Sequence, residues 1–126
     1  MKFSGACVYV DDVPAALDFY RRAFGFETRF FDPQLQYGEL DTGEARVAFA
    51  SHALGEMLMP GGHPRGRPRG VEIAFITPDV PAAFARAVAA GAVPAAEPKA
   101  MPWGATVAYF HAPEGTLIGL STPVSV

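Results

Sequence analysis

Cysteine is almost absent from this sequence, with Cys7 the only one among 126 residues. A single thiol excludes a disulfide within the chain and is typical of a reducing compartment, so we expect a cytoplasmic location. Long apolar runs are also absent, and the N-terminus lacks the pattern of a secretory signal. The sequence therefore predicts neither a membrane span nor secretion.

A strong excess of one charge is missing as well. The formal net charge is −3, and the densest cationic stretch, residues 63–70, has three arginines separated by glycine and proline. A nucleic-acid surface needs a broader basic face, so we interpret this stretch as a solvated loop and expect no nucleic-acid partner. Half of the residues are hydrophobic, which favours a single globular domain with a sizeable core.

The pentapeptide DVPAA occurs twice, at residues 12–16 and 79–83. Each copy follows a short apolar run, and each begins a helical segment that ends near a glycine, Gly25 in the first copy and Gly91 in the second. Aspartate can cap a helix N-terminus, proline suits the first turn, and glycine suits the position after the last turn. The repeat therefore predicts a duplicated element, in which a strand is followed by an N-capped helix that ends at a glycine.

Three short apolar segments follow each predicted helix, so each half of the chain has the element order β-α-β-β-β. We place the first unit at residues 1–52, a linker rich in glycine and proline at 53–69, and the second unit at 70–126. Two prolines make residues 92–98 of the second unit a weak edge strand. The predicted fold class is α+β with two tandem β-α-β-β-β units.

Two segments and the duplication itself carry a family resemblance. The segments are VYVDDVPAALDFYRRAFGFE, residues 8–27, and PWGATVAYFHAPEGTLIGLSTP, residues 102–123. With them the chain resembles the vicinal oxygen chelate superfamily, which includes glyoxalase I, extradiol dioxygenases and the bleomycin resistance proteins. The resemblance implies that the two units form a cupped mixed sheet around a central cavity, usually within or across a homodimer.

Enzymes of that superfamily hold a divalent metal with His, Glu or Gln side chains from the first and last strands of each unit. The matching positions here are Gly5, Glu72, Gly119 and Ala48, or Phe49 if the strand register is shifted by one. Only one of the four carries a side chain that can coordinate a metal, and the three histidines have no partner at ligand spacing. We therefore expect no metal and no other cofactor.

Alternation along the strands predicts which residues face the cavity. With Gly5, Ala48, Glu72 and Gly119 on that side, the others are Cys7, Tyr9, Arg46, Ala50, His52, Ala74, Ile76, Leu117 and Ser121. Their neighbours should face the helices, namely Val8, Val10, Val47, Phe49, Val71, Ile73, Phe75, Ile118 and Leu120. The small residues of the first set leave volume, which favours a pocket for a flat or bulky apolar ligand, although aromatic side chains from the edge strands could fill it instead.

The predicted ligand-binding residues are Trp103, Glu72, Arg46, Tyr37, Phe31, His52, Met57, Met101, Tyr109 and Gly119. Trp103 is the favoured residue for the wall of the pocket because an indole can stack on a planar ligand. It could equally cover the edge of the core as a lid. Glu72 is the only carboxylate expected inside the cavity. It could be a general base, an anchor for a cationic ligand, or the partner of Arg46 in a salt bridge.

The leading functional hypothesis is a metal-free binding protein that sequesters a small molecule, in the manner of the bleomycin resistance proteins, with no catalytic residues. The alternatives are a metal-dependent lyase, isomerase or dioxygenase, a metal-independent enzyme using Glu72, and a dimeric regulatory module without a ligand. The weak edge strand and the apolar cup favour a homodimer. The identity of the ligand does not follow from the sequence.

Overall fold

The computed structural model describes residues 1–124. Its elements, in chain order, are β1 (Gly5–Val10), α1 (Val13–Phe24), β2 (Thr28–Asp32), β3 (Tyr37–Leu40), β4 (Arg46–Ser51), α2 (His52–Leu58), β5 (Glu72–Ile76), α3 (Val80–Ala89), β6 (Val93–Ala100), β7 (Thr106–His111) and β8 (Leu117–Ser121). Among these residues, no helix is long and apolar enough to cross a membrane.

The chain divides into two compact units, unit 1 at Met1–Gly66 and unit 2 at Arg67–Val126. Each unit contains a four-stranded sheet, with strand order β1-β4-β3-β2 in unit 1 and β5-β8-β7-β6 in unit 2. The first and last strands of each unit pair in parallel, and the other neighbours pair antiparallel. The predicted α+β fold with two β-α-β-β-β units is confirmed.

The two DVPAA copies begin helices α1 and α3 in the same way. The carboxylate of Asp12 accepts a hydrogen bond of 3.0 Å from the backbone N–H of Ala15, and that of Asp79 accepts one of 3.0 Å from Ala82. These caps satisfy backbone donors that have no partner inside the helix. Helix α1 ends at Gly25, whose φ of 80° is a conformation that favours glycine.

In unit 1, one face of the sheet packs on helix α1. The ring of Phe49 lies 4.7 Å from the ring of Tyr20, and both side chains are fully buried. Burial of a large apolar side chain contributes about 1.5–3 kcal/mol, so this contact is a main stabilising feature of the unit. Because Phe49 faces the helix, its neighbour Ala48 faces the other way, which settles the register that the sequence left open.

In unit 2, the ring of Phe84 on helix α3 lies 5.8 Å from the ring of Phe110 on β7. Phe110 pairs with Ile118 of β8, which in turn pairs with Ile73 of β5, so a row of apolar side chains crosses the helix-facing side of the sheet. Both units therefore bury one sheet face under a helix. We call the opposite sheet face of each unit its open face.

Three predictions about the elements are corrected. The segment assigned as a linker contains helix α2, which Ser51 caps by accepting a hydrogen bond of 3.1 Å from Leu54, and the whole segment to Gly66 belongs to unit 1. Val71 precedes strand β5 and is exposed rather than packed under α3. The weak strand at 92–98 is at the sheet edge, as expected, but β6 spans eight residues because two register shifts accommodate its prolines.

Candidate functional site

The open face of unit 1 carries a row of four side chains, one from each strand. Strand pairing aligns Cys7 of β1 with Ala48 of β4, Ala48 with Glu39 of β3, and Glu39 with Phe30 of β2. Paired residues point to the same side of a sheet, so the row faces away from helix α1. The row therefore contains one carboxylate, Glu39, beside the thiol of Cys7 and the apolar side chains of Ala48 and Phe30.

Glu39 is the polar centre of this face, and the sequence analysis did not identify it. It is only 8% exposed, and its Oε2 accepts a hydrogen bond of 2.7 Å from the hydroxyl of Tyr37. The Nη1 atom of Arg46 lies 3.6 Å from the same oxygen. Arg46, for which Glu72 had been one predicted partner, thus forms an ion pair with Glu39 inside unit 1.

Local sequence explains how Glu39 could have been found. Tyr37 and Glu39 are two residues apart on β3, so both side chains leave the same face of the strand. Gly38 between them faces helix α1, where an added Cβ would lie 2.7 Å from Leu17 Cδ1. The alternation of β3 alone therefore assigns Glu39 to the open face, although its burial depends on packing that alternation does not show.

Burial and the Glu39 carboxylate change the acidity of the neighbouring groups. Burial is the larger cause and the hydrogen bond to Glu39 the next, and together they raise the pKa of Tyr37 from 10.0 to about 12. Burial also raises the pKa of the Cys7 thiol above its usual range. Both groups are therefore protonated at neutral pH, so Tyr37 is a hydrogen-bond donor and Cys7 is not a reactive thiolate.

Gly5 lies directly beside Arg46 in the parallel pairing of β1 and β4. A Cβ added at Gly5 would overlap the Cγ and the carbonyl oxygen of Arg46, and the φ of Gly5, 153°, disfavours other residues. The side-chain stem of Arg46 thus covers the position on β1 where the superfamily's metal enzymes place a ligand. No larger side chain fits there without movement of β4.

In unit 2, Glu72, Tyr109 and Gly119 come together on the open face. Gly119 pairs with Tyr109, and a Cβ added at Gly119 would lie 2.9 Å from both Glu72 Oε2 and Tyr109 Cε1. Burial first, and the Glu72 carboxylate second, raise the pKa of Tyr109. The volume predicted over Gly119 is therefore taken by these two side chains.

Glu72 itself differs from the prediction that it is the one carboxylate inside a cavity. It is exposed on the open face of β5, whereas the buried carboxylate among residues 1–124 is Glu39. The difference arises because β5 is an edge strand of its sheet, where a side chain has a neighbouring strand on one side only. Glu39 lies on an inner strand and is covered from both sides.

The described residues do not fit the metal of the superfamily's enzymes. Within residues 1–124, no three or more His, Cys, Asp or Glu side chains are grouped so that they could hold a metal ion. Gly5, Ala48 and Gly119 occupy three of the ligand positions and offer no donor atom. No chemical step is therefore derived through a metal.

A cavity of about 300 Å³ in unit 1 lies beside helix α2, away from the predicted ligand set except for His52. Its lining residues are His52, Ala53, Glu56, His63, Pro64 and Arg65. His52, expected at the end of a strand, is instead the first residue of α2, and its Nε2 lies 3.1 Å from Oδ1 of Asp11. Arg65 also donates to Asp11, at 2.9 Å, whereas the buried Nδ1 of His52 has no hydrogen-bond partner among the described residues.

The loop at this cavity is tied to strand β1. The ring of His63 lies 4.0 Å from the ring of Tyr9, and its Nδ1 donates to the carbonyl oxygen of Gly55 at 3.1 Å. Because a carbonyl only accepts, Nδ1 is the donor in this contact. The contacts hold residues of the predicted linker against the sheet of unit 1.

Four other predicted site residues lie apart from the two open-face clusters. Phe31 pairs with Gly38 and therefore faces helix α1, and Phe30 takes the open face in its place, with its ring 5.7 Å from that of Tyr37. Met57 is exposed on α2, and Met101 and Trp103 lie in the turn between β6 and β7, where Trp103 is 62% exposed. No register for β2 followed from the sequence, and the pairing of Phe31 with Gly38 places its side chain on the helix-facing side.

The duplicated β-α-β-β-β units match the fold of one known family. A family model of the Glyoxalase/Bleomycin resistance protein/Dioxygenase superfamily matches residues 2–120. The chain belongs to this superfamily. None of the curated proteins compared with the chain matches it.

Several solved structures have the same fold. A glyoxalase-related enzyme from Fulvimarina pelagi superposes with a TM-score of 0.84 at 20% identity, covering 98% of this chain and 88% of that one. A superfamily member from Sphaerobacter thermophilus has a TM-score of 0.74 at 27% identity, covering 98% of each chain. TioX from Micromonospora sp. ML1 has a TM-score of 0.73 at 22% identity, covering 97% of this chain and 98% of that one.

Proposed function

We propose that this protein binds and sequesters a flat or bulky apolar small molecule without a metal ion, as a binding protein of the glyoxalase/bleomycin resistance type. The observation that carries the proposal is the composition of the open faces. They offer aromatic and aliphatic surface with few polar anchors, and no set of metal ligands among residues 1–124. Such a surface suits apolar ligands better than it suits metal-assisted chemistry.

The open face of β5 illustrates the apolar surface. Ile76 is 73% exposed there, and Ala74 is also exposed, whereas Ile73 on the opposite face of the strand is buried. An aliphatic side chain exposed on the flat face of a sheet is a candidate contact for an apolar ligand or partner. The exposed indole of Trp103 adds a ring that can stack on a planar compound within the same unit.

The tyrosines of the open faces can orient a bound ligand. Tyr37 and Tyr109 each lie beside a carboxylate, Glu39 and Glu72 respectively, and each is protonated at neutral pH. A phenol presents an apolar ring and one polar tip, so a ligand can stack on the ring and hydrogen bond at its rim. This combination favours binding of a defined compound over unspecific adhesion.

The experiment is a calorimetric screen of the full chain against flat aromatic compounds and natural-product antibiotics, with metal chelator present. Trp103→Ala should weaken any hit by about 2 kcal/mol if the indole stacks on it. Leu35→Ala, which removes another exposed apolar side chain from a turn of unit 1, is the control and should leave affinity unchanged. Hits that bind the parent and the Trp103 variant equally would remove Trp103 from the site, and binding that needs a metal would contradict the proposal.

The same proposal includes a homodimer. Strand β6 is an edge strand of eight residues, and nearly all of them are exposed. Edge strands with open hydrogen-bonding groups are commonly covered by a partner, and two-fold dimers are the most frequent assembly. A second copy of the chain would cover this edge.

A further inference from the structure

Arg46 combines three features that single it out from the other cations of the chain. Its stem covers Gly5, its guanidinium lies on the open face of unit 1, and a buried carboxylate stands beside it. We propose that Arg46 is the anchor for a flat oxyanion, such as a carboxylate, on the ligand of this protein. The proposal rests on the proposed function and names the chemical class of its ligand.

The position of Arg46 is determined by the backbone on both sides. It begins strand β4 directly beside Gly5, and its backbone N–H donates to the carbonyl oxygen of Ser4 at 3.2 Å. Only a residue without a side chain at position 5 leaves room for the backbone and the side-chain stem of Arg46 beside β1. The glycine that removes a metal ligand from β1 therefore also makes room for a cation on the same face.

Glu39 limits where the guanidinium can lie. The Nη1 atom of Arg46 is 3.6 Å from Glu39 Oε2, and that oxygen already accepts the 2.7 Å hydrogen bond from Tyr37. Tyr37 thus holds the carboxylate, and the carboxylate attracts the cation. Glu39 and Tyr37 are positioning residues in this arrangement, because neither needs to touch the ligand.

The donors of Arg46 remain largely unused. A contact of 3.6 Å is longer than the 2.7–3.2 Å of an N–H···O hydrogen bond, so Glu39 attracts the guanidinium without saturating it. Among residues 1–124, Glu39 is the one acidic residue within ion-pair distance of it. The side chain is 43% exposed, so the remaining N–H groups can reach a ligand on the open face.

The chemistry of a guanidinium selects the ligand group. Its planar fork of donors matches the two oxygens of a carboxylate, and such paired, charge-assisted hydrogen bonds are stronger than neutral ones. On the same face, the half-exposed ring of Phe30 offers apolar surface to the body of the ligand. The expected ligand is therefore an apolar, flat compound that carries one carboxylate or a similar planar oxyanion.

The test compares a naphthoate with the corresponding naphthamide, which has the same shape without the charge, by calorimetry on the full chain at neutral pH. The parent should bind the naphthoate about tenfold or more tightly than the amide, as expected for hydrogen bonds to a charged group. Arg46→Gln should bring the two affinities within about twofold of each other, and Arg46→Lys should keep part of the difference because it retains the charge without the fork. Arg29→Gln, which removes an exposed cation from β2, is the matched control and should leave the ratio unchanged.

A second variant is needed because Arg46→Gln leaves the buried Glu39 carboxylate without its cation, which lowers the stability of the fold. The double variant Arg46→Gln/Glu39→Gln removes both charges and should also lose the preference for the naphthoate. Equal affinity of the two probes for the parent, or an unchanged ratio in Arg46→Gln and in the double variant, overturns the inference and leaves the proposed function standing. Failure of both probes to bind at millimolar concentration overturns the proposed function for flat aromatic ligands, and the inference with it.

Discussion

The hydroxyl of Tyr37 donates a hydrogen bond of 2.7 Å to Oε2 of Glu39, and the two residues alternate with Gly38 on one strand. The contact places a protonated phenol against a buried carboxylate on the open face of unit 1. Burying a carboxylate is costly unless hydrogen bonds and a cation compensate, and Tyr37 and Arg46 supply both. This pair therefore couples the stability of the unit to the polar part of the proposed site.

The raised pKa of Tyr37 makes stability depend on pH in the alkaline range. The folded chain holds the proton to about pH 12, whereas the unfolded chain releases it near 10.0. A raised folded pKa contributes stability that is fully present below the unfolded pKa and is lost as pH rises through the folded one. We expect the free energy of unfolding to fall between about pH 10 and 12, measured by urea denaturation at fixed temperature.

The control for this prediction is Tyr37→Phe, which cannot titrate at that position. Its free energy of unfolding should fall less steeply than that of the parent over the same range, since the pKa values of Tyr9 and Tyr109 are also raised and both remain. Parallel pH profiles for the parent and the variant would show that burial and the Glu39 contact do not raise the pKa of Tyr37.

The two DVPAA copies allow a matched test of helix capping. Asp12→Ala and Asp79→Ala each remove a carboxylate that accepts a hydrogen bond of 3.0 Å from the first turn of a helix. Each substitution should lower the free energy of unfolding by about 1 kcal/mol. Asp41→Ala, at an exposed aspartate outside the helices, should change it by less than about 0.5 kcal/mol. Equal losses in all three variants would mean that the caps contribute nothing specific.

Alanine substitutions at Gly5 and Gly43 distinguish the cost of steric overlap from the cost of backbone strain. Both have positive φ, 153° and 108°, but an added Cβ overlaps Arg46 at Gly5 and meets nothing within 4 Å at Gly43. Gly43→Ala should therefore cost roughly 1–2 kcal/mol from the backbone alone. Gly5→Ala should cost more, by about 1–3 kcal/mol, because the Arg46 stem or β4 must also move. Thermal denaturation of both variants measures the difference, and equal losses would contradict the steric overlap between a side chain at position 5 and Arg46.

The proposed homodimer gives a prediction for sedimentation. The chain should sediment as a dimer at micromolar concentration, because the exposed edge strand β6 would be covered by a second copy. The Met101 N–H donates to Ala105, so the N–H of the preceding residue, Ala100, points away from β7. Ala100→Pro removes this outward donor, and it should shift the equilibrium toward the monomer if β6 forms the contact. A parent chain that remains monomeric at high concentration would exclude this assembly.

Much of the fold could be predicted because its signals are local. The aspartates of the repeated pentapeptide, the glycine after α1 and the alternation of Val8, Phe49 and Ile118 each determine an element or a buried face through nearby residues. The duplication added a second copy of the same signals. Helix α2 was missed because its glycine and the prolines that follow resemble a loop, while its Ser51 cap was not recognised.

The site was harder to predict because it depends on contacts between strands. Arg46 and Tyr37 were expected to bind ligand, but their relation to each other passes through Glu39, whose burial arises from neighbours on both adjoining strands. The small residues at Gly5 and Gly119 were expected to leave volume. Instead, Arg46 occupies the space beside the first, and Glu72 and Tyr109 lie over the second, because neighbouring strands bring atoms to positions that alternation alone leaves empty.

The most direct test of metal-independent binding is native mass spectrometry of the full chain incubated with a naphthoate, once with EDTA and once with zinc, nickel, manganese and iron(II) ions. The absence of donor atoms at Gly5, Ala48 and Gly119 predicts that the naphthoate complex persists in EDTA and that no divalent ion is retained stoichiometrically after buffer exchange. One divalent ion retained per chain, or a naphthoate complex that disappears in EDTA, would contradict the account.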